Sequence, residues 1–308
     1  MNKLKRLLFE ENVYSIGIRR RSEKLLFEDG GADIPFIIMP ISCDTWYADP
    51  MVFRYKGREY LFCEVYDRSN DTGSIGVTEL DSLFPRKPRI VLQTECHLSY
   101  PCVFEKNDIV YMIPETTTKN NIVLYKAINF PDQWEQCYVL LEGKQWADTT
   151  VYIGDEGDAL LFAFEQFYGN GSITRLQIYD AGEISKGIIR CCYDDFEFDP
   201  CSRGAGYLFQ YHGQLLRPSQ DCRLDYGHTL QFNSVCLKGG YSEKCLCKVE
   251  PELISCNMKK KIIGIHTYCL ANDYEVIDVK FNDPILKHQI KRVIRYVGRK
   301  IGLHHAKM

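Results

Sequence analysis

The sequence predicts an all-β protein, a five-bladed β-propeller followed by a C-terminal amphipathic α-helix. Aromatic residues make up 13% of the 308 residues, with 20 Tyr and 16 Phe, and such an excess suits pleated strands better than helical bundles. A hairpin pattern recurs five times along the chain with a period near fifty residues. That period leaves room for about four short strands per copy, the content of one propeller blade.

Each copy consists of an apolar strand, a turn rich in Gly, Asn or Asp, and a second apolar strand, which together indicate a β-hairpin. The copies begin at Asp49, Tyr100, Asp148, Ala205 and His266. They start 51, 48, 57 and 61 residues apart, and five copies predict five blades. Closing the ring requires a strand from the other end of the chain, and we expect residues 13–18 to complete the last blade.

The chain divides into an N-terminal basic segment (residues 1–12), the propeller (13–282) and a basic amphipathic helix (283–308). No run of eighteen apolar residues is present, and the first residues lack the apolar core and cleavage site of a secretory signal. We therefore expect a cytoplasmic protein.

Fourteen cysteines are scattered along the chain without any C-x-x-C pair. We expect reduced thiols, buried as small hydrophobic groups, rather than disulfides. The alternative, a zinc site, lacks the usual ligand spacing. The sequence requires no cofactor and leaves open whether a divalent metal binds.

The net charge of −3 hides an uneven distribution. Between Pro284 and Met308 there are seven Lys or Arg residues and no acid, so the rest of the chain carries −10. The acidic part argues against nucleic-acid binding.

In the basic part, apolar residues follow helical spacing with cations on the other face. We expect this helix to bind an anionic membrane surface, on the inner face of the cell membrane. The alternative is a helix packed on the propeller with a solvated basic face.

The innermost strand of each propeller blade runs along the central axis, so the residues at its beginning converge on one face. Hairpin geometry returns the end of the second strand to that face. The face therefore collects carboxylates, whose repulsion raises some pKa values and equips a pocket for acid–base chemistry on a sugar. We take four as catalytic candidates: Asp49, Asp148, Glu115 and Glu165. For any single one, the alternative is a structural bond to an inter-blade turn.

Other side chains of this face are candidates for substrate binding. Trp46, Tyr100 and Trp146 would supply flat apolar walls for a sugar ring, or else belong to the core. The fourth unit has Ala205 and Gln220 where other units have acids, and arginines crowd the same region. These arginines could bind a phosphate group, or alternatively they neutralise neighbouring acids. The candidates from the last two units are Arg203, Arg217, Gln220, Asp221 and His266.

An ordered set of short motifs resembles one family closely. The set includes Trp46-Tyr-Ala-Asp-Pro50, Ser99-Tyr-Pro101, Ile113-Pro-Glu-Thr116, Ala147-Asp-Thr-Thr150, Arg203-Gly-Ala-Gly206, Arg217-Pro-Ser-Gln-Asp221 and Ile265-His-Thr267. It resembles the propeller domain at the N-terminal side of plant glucosamine inositolphosphorylceramide transferases, which has bacterial relatives that occur alone or beside formyltransferase-like domains. The resemblance spans about residues 13 to 280. In plant members a separate transferase domain follows, so the family name does not establish what the propeller itself catalyses.

That family is similar in turn to the five-bladed furanosidase superfamily, which includes glycoside hydrolase families 43 and 32. This resemblance implies that Asp49, in an Asp-Pro at the start of the first blade, is a base or nucleophile. It implies that Asp148 orients or stabilises, and that the catalytic acid is a Glu, at Glu115 or Glu165.

Three functions follow as hypotheses. The first is a glycosyltransferase of cell-surface polysaccharide or glycolipid assembly. It would transfer a sugar, of a type that includes furanosyl and phosphoribosyl groups, from a phosphate-activated donor to a saccharide or lipid-linked acceptor. The basic helix and the arginines favour it. The second is an intracellular glycoside hydrolase of the furanosidase superfamily. The third is a non-catalytic carbohydrate-binding propeller.

Overall fold

A computed structural model describes residues 10–116, 119–154 and 157–300 of the chain. In these ranges the chain forms five antiparallel sheets, arranged as the blades of a five-bladed β-propeller, and a C-terminal helix. The predicted fold is confirmed. Residues 1–9 of the predicted basic segment and residues 301–308 of the predicted helix lie outside the described residues.

The first four blades are four-stranded sheets in which strands consecutive in the chain are paired. The first blade holds β3 (Thr45–Tyr55), β4 (Arg58–Asp67), β5 (Thr72–Glu79) and β6 (Arg89–Leu92). The second holds β7 (Ser99–Lys106), β8 (Ile109–Glu115), β9 (Asn121–Asn129) and β10 (Gln133–Glu142). The third holds β11 (Trp146–Ile153), β12 (Ala159–Phe167), β13 (Asn170–Asp180) and β14 (Arg190–Tyr193). The fourth holds β15 (Phe209–Tyr211), β16 (Gln214–Asp221), β17 (Thr229–Cys236) and β18 (Ser242–Val249).

The fifth blade is assembled from both ends of the chain. Its strands are β19 (Ile262–Gly264), β20 (Tyr268–Leu270), β21 (Tyr274–Asn282), β1 (Asn12–Arg20) and β2 (Ile37–Ile38). Strand β1 pairs with β21 along its whole length, from Asn12 opposite Asn282 to Arg20 opposite Tyr274. The prediction that residues 13–18 complete the last blade is confirmed.

Apolar side chains fill the space between neighbouring blades. Phe62 and Ile75 of the first blade, for example, pack in one cluster with Val103 and Met112 of the second. Because each blade is covered on both sides, the middle strands are buried on both faces, and their sequences are runs of apolar residues. The core therefore holds the innermost strands rigidly around the central axis.

Three 3₁₀ turns and one helix complete the described structure: Gly31–Asp33, Ile184–Lys186, Pro251–Leu253 and helix α1 (Leu286–Lys300). Within the described ranges, no helix combines the length and the apolar character needed to cross a membrane.

All fourteen cysteines lie in the described ranges as free thiols. The expected burial was wrong for most of them, since only Cys63, Cys102, Cys222 and Cys269 are buried. The exposed ones include Cys191 on β14 and other cysteines of the outer strands. The outer strand of a blade faces solvent, so a small thiol there is not enclosed by a neighbouring sheet.

Candidate active site

Three blades begin with the same backbone irregularity. Asp49, Tyr100 and Asp148 adopt the left-handed region, with φ angles of 51°, 43° and 41°. Each lies where the register between the first two strands of its blade shifts. Such bulges re-aim a side chain and are common beside active sites, and a non-glycine residue in this region costs about 1 to 3 kcal/mol. The fold therefore keeps a strained residue at one end of the axis in three blades.

Strand register brings two glutamates to the same place. Glu64 on β4 is opposite Ala48, and Glu115 on β8 is opposite Ser99, each beside the bulge of its blade. Since side chains alternate along a strand, this register decides the face that each glutamate occupies. Both are buried.

Asp49 connects the first, second and fifth blades. Its carboxylate accepts the backbone N–H of Tyr100 at 3.2 Å and the hydroxyl of Thr267 at 3.1 Å. Burial, opposed by the charge of His266 and assisted by the charge of Asp278, raises the pKa of Asp49 to about 6. This carboxyl group is therefore mainly ionised at neutral pH and close enough to its pKa to exchange protons readily, as a general base must.

Glu64 is a second buried carboxyl group, and the charge of Asp49 affects its pKa. Its Oε1 atom lies 3.3 Å from Nε2 of His97, while Nδ1 of His97 accepts the backbone N–H of Gly73 at 2.9 Å. A side chain on Gly73 would come within 2.5 Å of the Glu64 carboxyl, so glycine is required at that position. Burial and the charges of Asp49 and Glu115 raise the pKa of Glu64 well above its ordinary value. The raised pKa favours the protonated form of Glu64, which is the form that can act as an acid.

Arg203 links two other carboxylates. Its guanidinium donates to Asp148 at 2.5 and 3.1 Å and to Glu115 at 3.2 Å, and a further N–H donates to the carbonyl of Gly171 at 3.0 Å. Gln220 donates to Asp148 at 2.8 Å. Arg203 therefore uses its guanidinium within the protein, where it holds the carboxyl groups of Asp148 and Glu115 in place.

His266 and Asp278 form the fifth-blade part of the site. Nδ1 of His266 lies 2.6 Å from Oδ2 of Asp278, whose Oδ1 accepts the backbone N–H groups of His266 and Thr267. Although burial opposes it, Asp278 raises the pKa of His266. Nε2 of His266 lies 3.8 Å from Asp49, so the imidazole ring faces that carboxyl group.

The described part of the chain contains one candidate metal site. It consists of Asp49, His266 and Asp278, whose possible ligand atoms all lie within 4.8 Å of one another. They could hold a metal ion only if the Nε2 atom of His266 were deprotonated, and Nδ1–H could then keep its contact with Asp278.

The predicted aromatic walls are largely enclosed. Trp46 stacks on Tyr66 with ring centres 4.1 Å apart and is buried. The ring of Tyr100 is fully buried and its hydroxyl bonds Thr150 at 2.9 Å, so its backbone, rather than its ring, serves the site. Trp146 is buried, and its indole N–H has no hydrogen-bond partner in the described structure.

Glu165 is not brought to the other carboxylates. It is opposite Trp146, whereas Phe164 is opposite Ala147 and so takes the place that corresponds to Glu64. Being one residue further along the strand, Glu165 points to the other face. It pairs with Arg175 at 2.6 Å and with a lysine, which lower its pKa against the effect of burial. An ionised carboxylate at this place does not supply the acid.

The arginines predicted to hold a phosphate are paired with acids instead. Arg217 is buried and forks onto Glu243 with two contacts of 2.8 Å. Asp221 pairs with Arg223 at 2.5 Å and with Lys248 at 2.6 Å, and these contacts lower its pKa. In the described structure these bonds join Arg217 and Asp221 to groups outside the central carboxyl cluster, as the alternative of neutralised neighbouring acids predicts.

Glu64 is not among the four catalytic candidates predicted from the sequence. The fifteen-residue spacing from Asp49 to Glu64, shared by Tyr100 and Glu115, was the available signal. Sequence reasoning also missed Tyr14, whose ring stacks on His266 with centres 4.5 Å apart. Tyr14 lies on the closing strand β1, so its approach to the axis depends on a pairing made across the whole chain.

The site thus joins Asp49, whose pKa is near 6, with Glu64, whose pKa is raised well above its ordinary value, and with ion pairs among the remaining charged groups. Two carboxyl groups whose surroundings separate their protonation states are the usual equipment for acid–base catalysis. Fold and site together define the class: a five-bladed β-propeller with an acid–base carboxyl cluster at its central axis. The chain belongs to the family described as glucosamine inositolphosphorylceramide transferase 1, N-terminal, which matches residues 40–255.

Curated relatives include glucosamine inositolphosphorylceramide transferase 1 of Arabidopsis thaliana, 28% identical over 203 residues, and the protein of the same name from Oryza sativa subsp. japonica, 30% identical over 199 residues. Each match covers 62% of this chain and 26% of the relative. The chain therefore spans about a quarter of the length of these relatives.

Solved structures share the fold at low sequence identity. The GH43_1 enzyme from Xanthomonas citri complexed with xylose has a TM-score of 0.55 at 10% identity, covering 79% of this chain and 88% of that one. A thermostable family-43 glycoside hydrolase has a TM-score of 0.51 at 14% identity, covering 79% and 91%. The resemblance to five-bladed glycoside hydrolases is thus a resemblance of fold.

Proposed function

We propose that this chain is a glycosyltransferase of glycolipid or cell-surface polysaccharide assembly, and that the carboxyl cluster of the propeller transfers a sugar to a hydroxyl group of a saccharide or lipid-linked acceptor. Its family supports transfer, because the curated relatives are named as transferases. The observation that carries the proposal is one buried cluster that holds Asp49, with a pKa of about 6, and Glu64, whose pKa is raised well above its ordinary value.

In this proposal Asp49 accepts the proton of the acceptor hydroxyl as its oxygen bonds to the anomeric carbon. Glu64 donates its proton to the oxygen that leaves that carbon. One C–O bond forms as one breaks, and the two carboxyl groups exchange protonation states. His266 lies 3.8 Å from Asp49, and its positive charge, when the ring is protonated, favours the ionised form of the base.

The site favours a donor with a sugar or alkyl oxygen as leaving group. Such an oxygen must be protonated as it departs, which Glu64 can do, whereas a phosphate leaves as a stable anion and needs cations. Arg203 and Arg217 are already paired with carboxylates. The expectation of a phosphate-activated donor therefore lacks the free arginines on which it was based.

The same observation favours a second candidate, a glycoside hydrolase, in which water replaces the acceptor hydroxyl. The two differ only in the nucleophile. Incubating the protein with a glycoside and increasing amounts of an alcohol or saccharide acceptor separates them: transfer gives an acceptor-linked product, while hydrolysis gives the free sugar alone.

Leaving-group dependence tests the assignment of residues. We expect Asp49→Asn to lose about 10²- to 10⁴-fold in turnover on every glycoside. Glu64→Gln should lose as much on alkyl glycosides but little on nitrophenyl glycosides, whose leaving group needs no proton. Glu165→Gln is the matched control and should keep wild-type rates on both.

Equal losses on both substrates for Glu64→Gln would contradict its role as acid. If the wild type turns over no glycoside yet binds saccharides, and Asp49→Asn binds them equally well, the propeller is a carbohydrate-binding module and the proposal fails.

A further inference from the structure

Helix α1 packs on the propeller through its polar side. His288 and Gln289 are buried, and Nε2 of His288 lies 2.9 Å from the carbonyl of Cys43. Arg292 donates to the carbonyl of Glu10 at 2.8 Å. A helix lying on a globular domain ordinarily buries its apolar side, so this orientation is reversed.

The apolar side of α1 faces solvent instead. Leu286, Ile290 and Ile294, spaced four residues apart on one face, are 68%, 48% and 56% exposed. We call these three residues the apolar stripe. Lys287 and Lys291 are exposed next to it. Isolated exposed apolar residues need no explanation, but a contiguous row on a helix marks a surface that binds something.

Ion pairs and hydrogen bonds fix α1 to the end of the first blade that bears the site. Arg68, directly after β4, is buried and contacts Glu11 at 3.0 Å and the carbonyl of Asp283 at 2.6 Å. Lys287 and His288 contact Asp44, directly before β3. Asp49 lies five residues beyond Asp44, roughly 16 Å along an extended strand. The helix and the carboxyl cluster therefore belong to the same end of the propeller.

We propose that the apolar stripe docks on an anionic membrane surface and holds the site end of the propeller against it. Charge complementarity argues for this partner, because no acid follows Asp283 in the chain and seven cations do. Apolar side chains flanked by lysines bind where acyl chains meet anionic headgroups. The surface would be the inner face of the cell membrane, and docking would bring a lipid-linked acceptor within reach of Asp49.

Vesicle binding tests this proposal without reference to catalysis. The full chain is mixed with vesicles of phosphatidylcholine alone or with about one third phosphatidylserine, and the bound fraction is measured by flotation. We expect binding to the anionic vesicles only. The triple variant Leu286→Ser, Ile290→Ser, Ile294→Ser should lose it, and Lys291→Gln should weaken it about fivefold.

The matched control replaces three exposed apolar residues elsewhere, Phe84→Ser, Leu224→Ser and Leu253→Ser, which are 74%, 81% and 58% exposed. It should bind like the wild type. Equal binding by the two triple variants, or no binding of the wild type to anionic vesicles, would overturn the proposal. A third outcome would also overturn it: the wild type sediments as a dimer, the stripe variant sediments as a monomer, and neither binds vesicles. A second copy of the chain would then cover the apolar stripe.

Discussion

Nδ1 of His266 lies 2.6 Å from the carboxylate of Asp278, and both side chains are buried. The same carboxylate accepts the backbone N–H of Asp49 at 3.0 Å, so this ion pair joins the last blade to the first. Its charge state therefore affects both the stability of the ring and the protonation of the base beside it.

The ion pair predicts a pH dependence of stability. The pKa of His266 is raised above 6.5, so its contribution is fully present below pH 6.5 and is lost as the pH rises through the raised value. Asp278 has a lowered pKa, so its contribution is present above pH 3.8 and is lost as the pH falls through the lower value. Thermal melts of His266→Gln should show a loss of about 3 to 5 kcal/mol near pH 6. The double variant with Asp278→Asn should recover part of it, because no unpaired charge remains.

Asp49→Asn should stabilise the protein while it abolishes activity. Since the pKa of Asp49 is raised to about 6 from 3.8, its contribution to stability is present at acid pH and lost as the pH rises through about 6. The asparagine can still accept from Tyr100 and can donate to Thr267. We expect a gain of up to about 3 kcal/mol at pH 8 and none at pH 4, measured by urea unfolding. Glu165→Gln should show no such gain, because the pKa of Glu165 is lowered.

Arg203→Lys should destabilise the protein although it keeps the charge. The ammonium group cannot donate in the directions that the guanidinium uses for Asp148, Glu115 and Gly171. A loss of about 3 kcal/mol or more in the free energy of unfolding is expected, because buried carboxylates are left without their partner. The exposed pair of Arg58 with Glu79 provides the comparison, and Arg58→Lys should leave the urea midpoint unchanged.

Ring closure predicts the effect of a substitution in β1. Ile16 is fully buried on this strand, so Ile16→Ala should cost about 2 to 5 kcal/mol. Thermal unfolding should remain one cooperative transition, because β1 and β21 share a blade. Ile90→Ala on the outer strand β6 is the control, since Ile90 is 46% exposed. Separate melting of the last blade in Ile16→Ala would contradict this account.

The architecture could be predicted because its signals are local. Each hairpin carries its own alternation of apolar residues and its own turn, and the repeat places the blades in order. Even the closing strand could be predicted, since residues 13–18 are apolar without a local partner.

The site could be predicted only where the blades have the same turn. The first two blades use two-residue turns, between Tyr55 and Arg58 and between Lys106 and Ile109, and there the spacing to the glutamate is the same. In the third blade five residues separate the first two strands. Glu165 lies one position beyond the place that corresponds to Glu64 and therefore on the other face. The acceptors for the arginines could not be predicted, because Glu243 and Asp148 come from other strands than the arginines they bind.

Pairing of β1 with β21 also imposes an order on folding during synthesis. The buried residues of β1 are made before their partner strand β21, which follows more than 250 residues later, on the order of ten seconds or more at ordinary elongation rates. Until then β1 can pair only with the two residues of β2, and most of its apolar length is left as an open edge. The ring can therefore close only after β21 has been made.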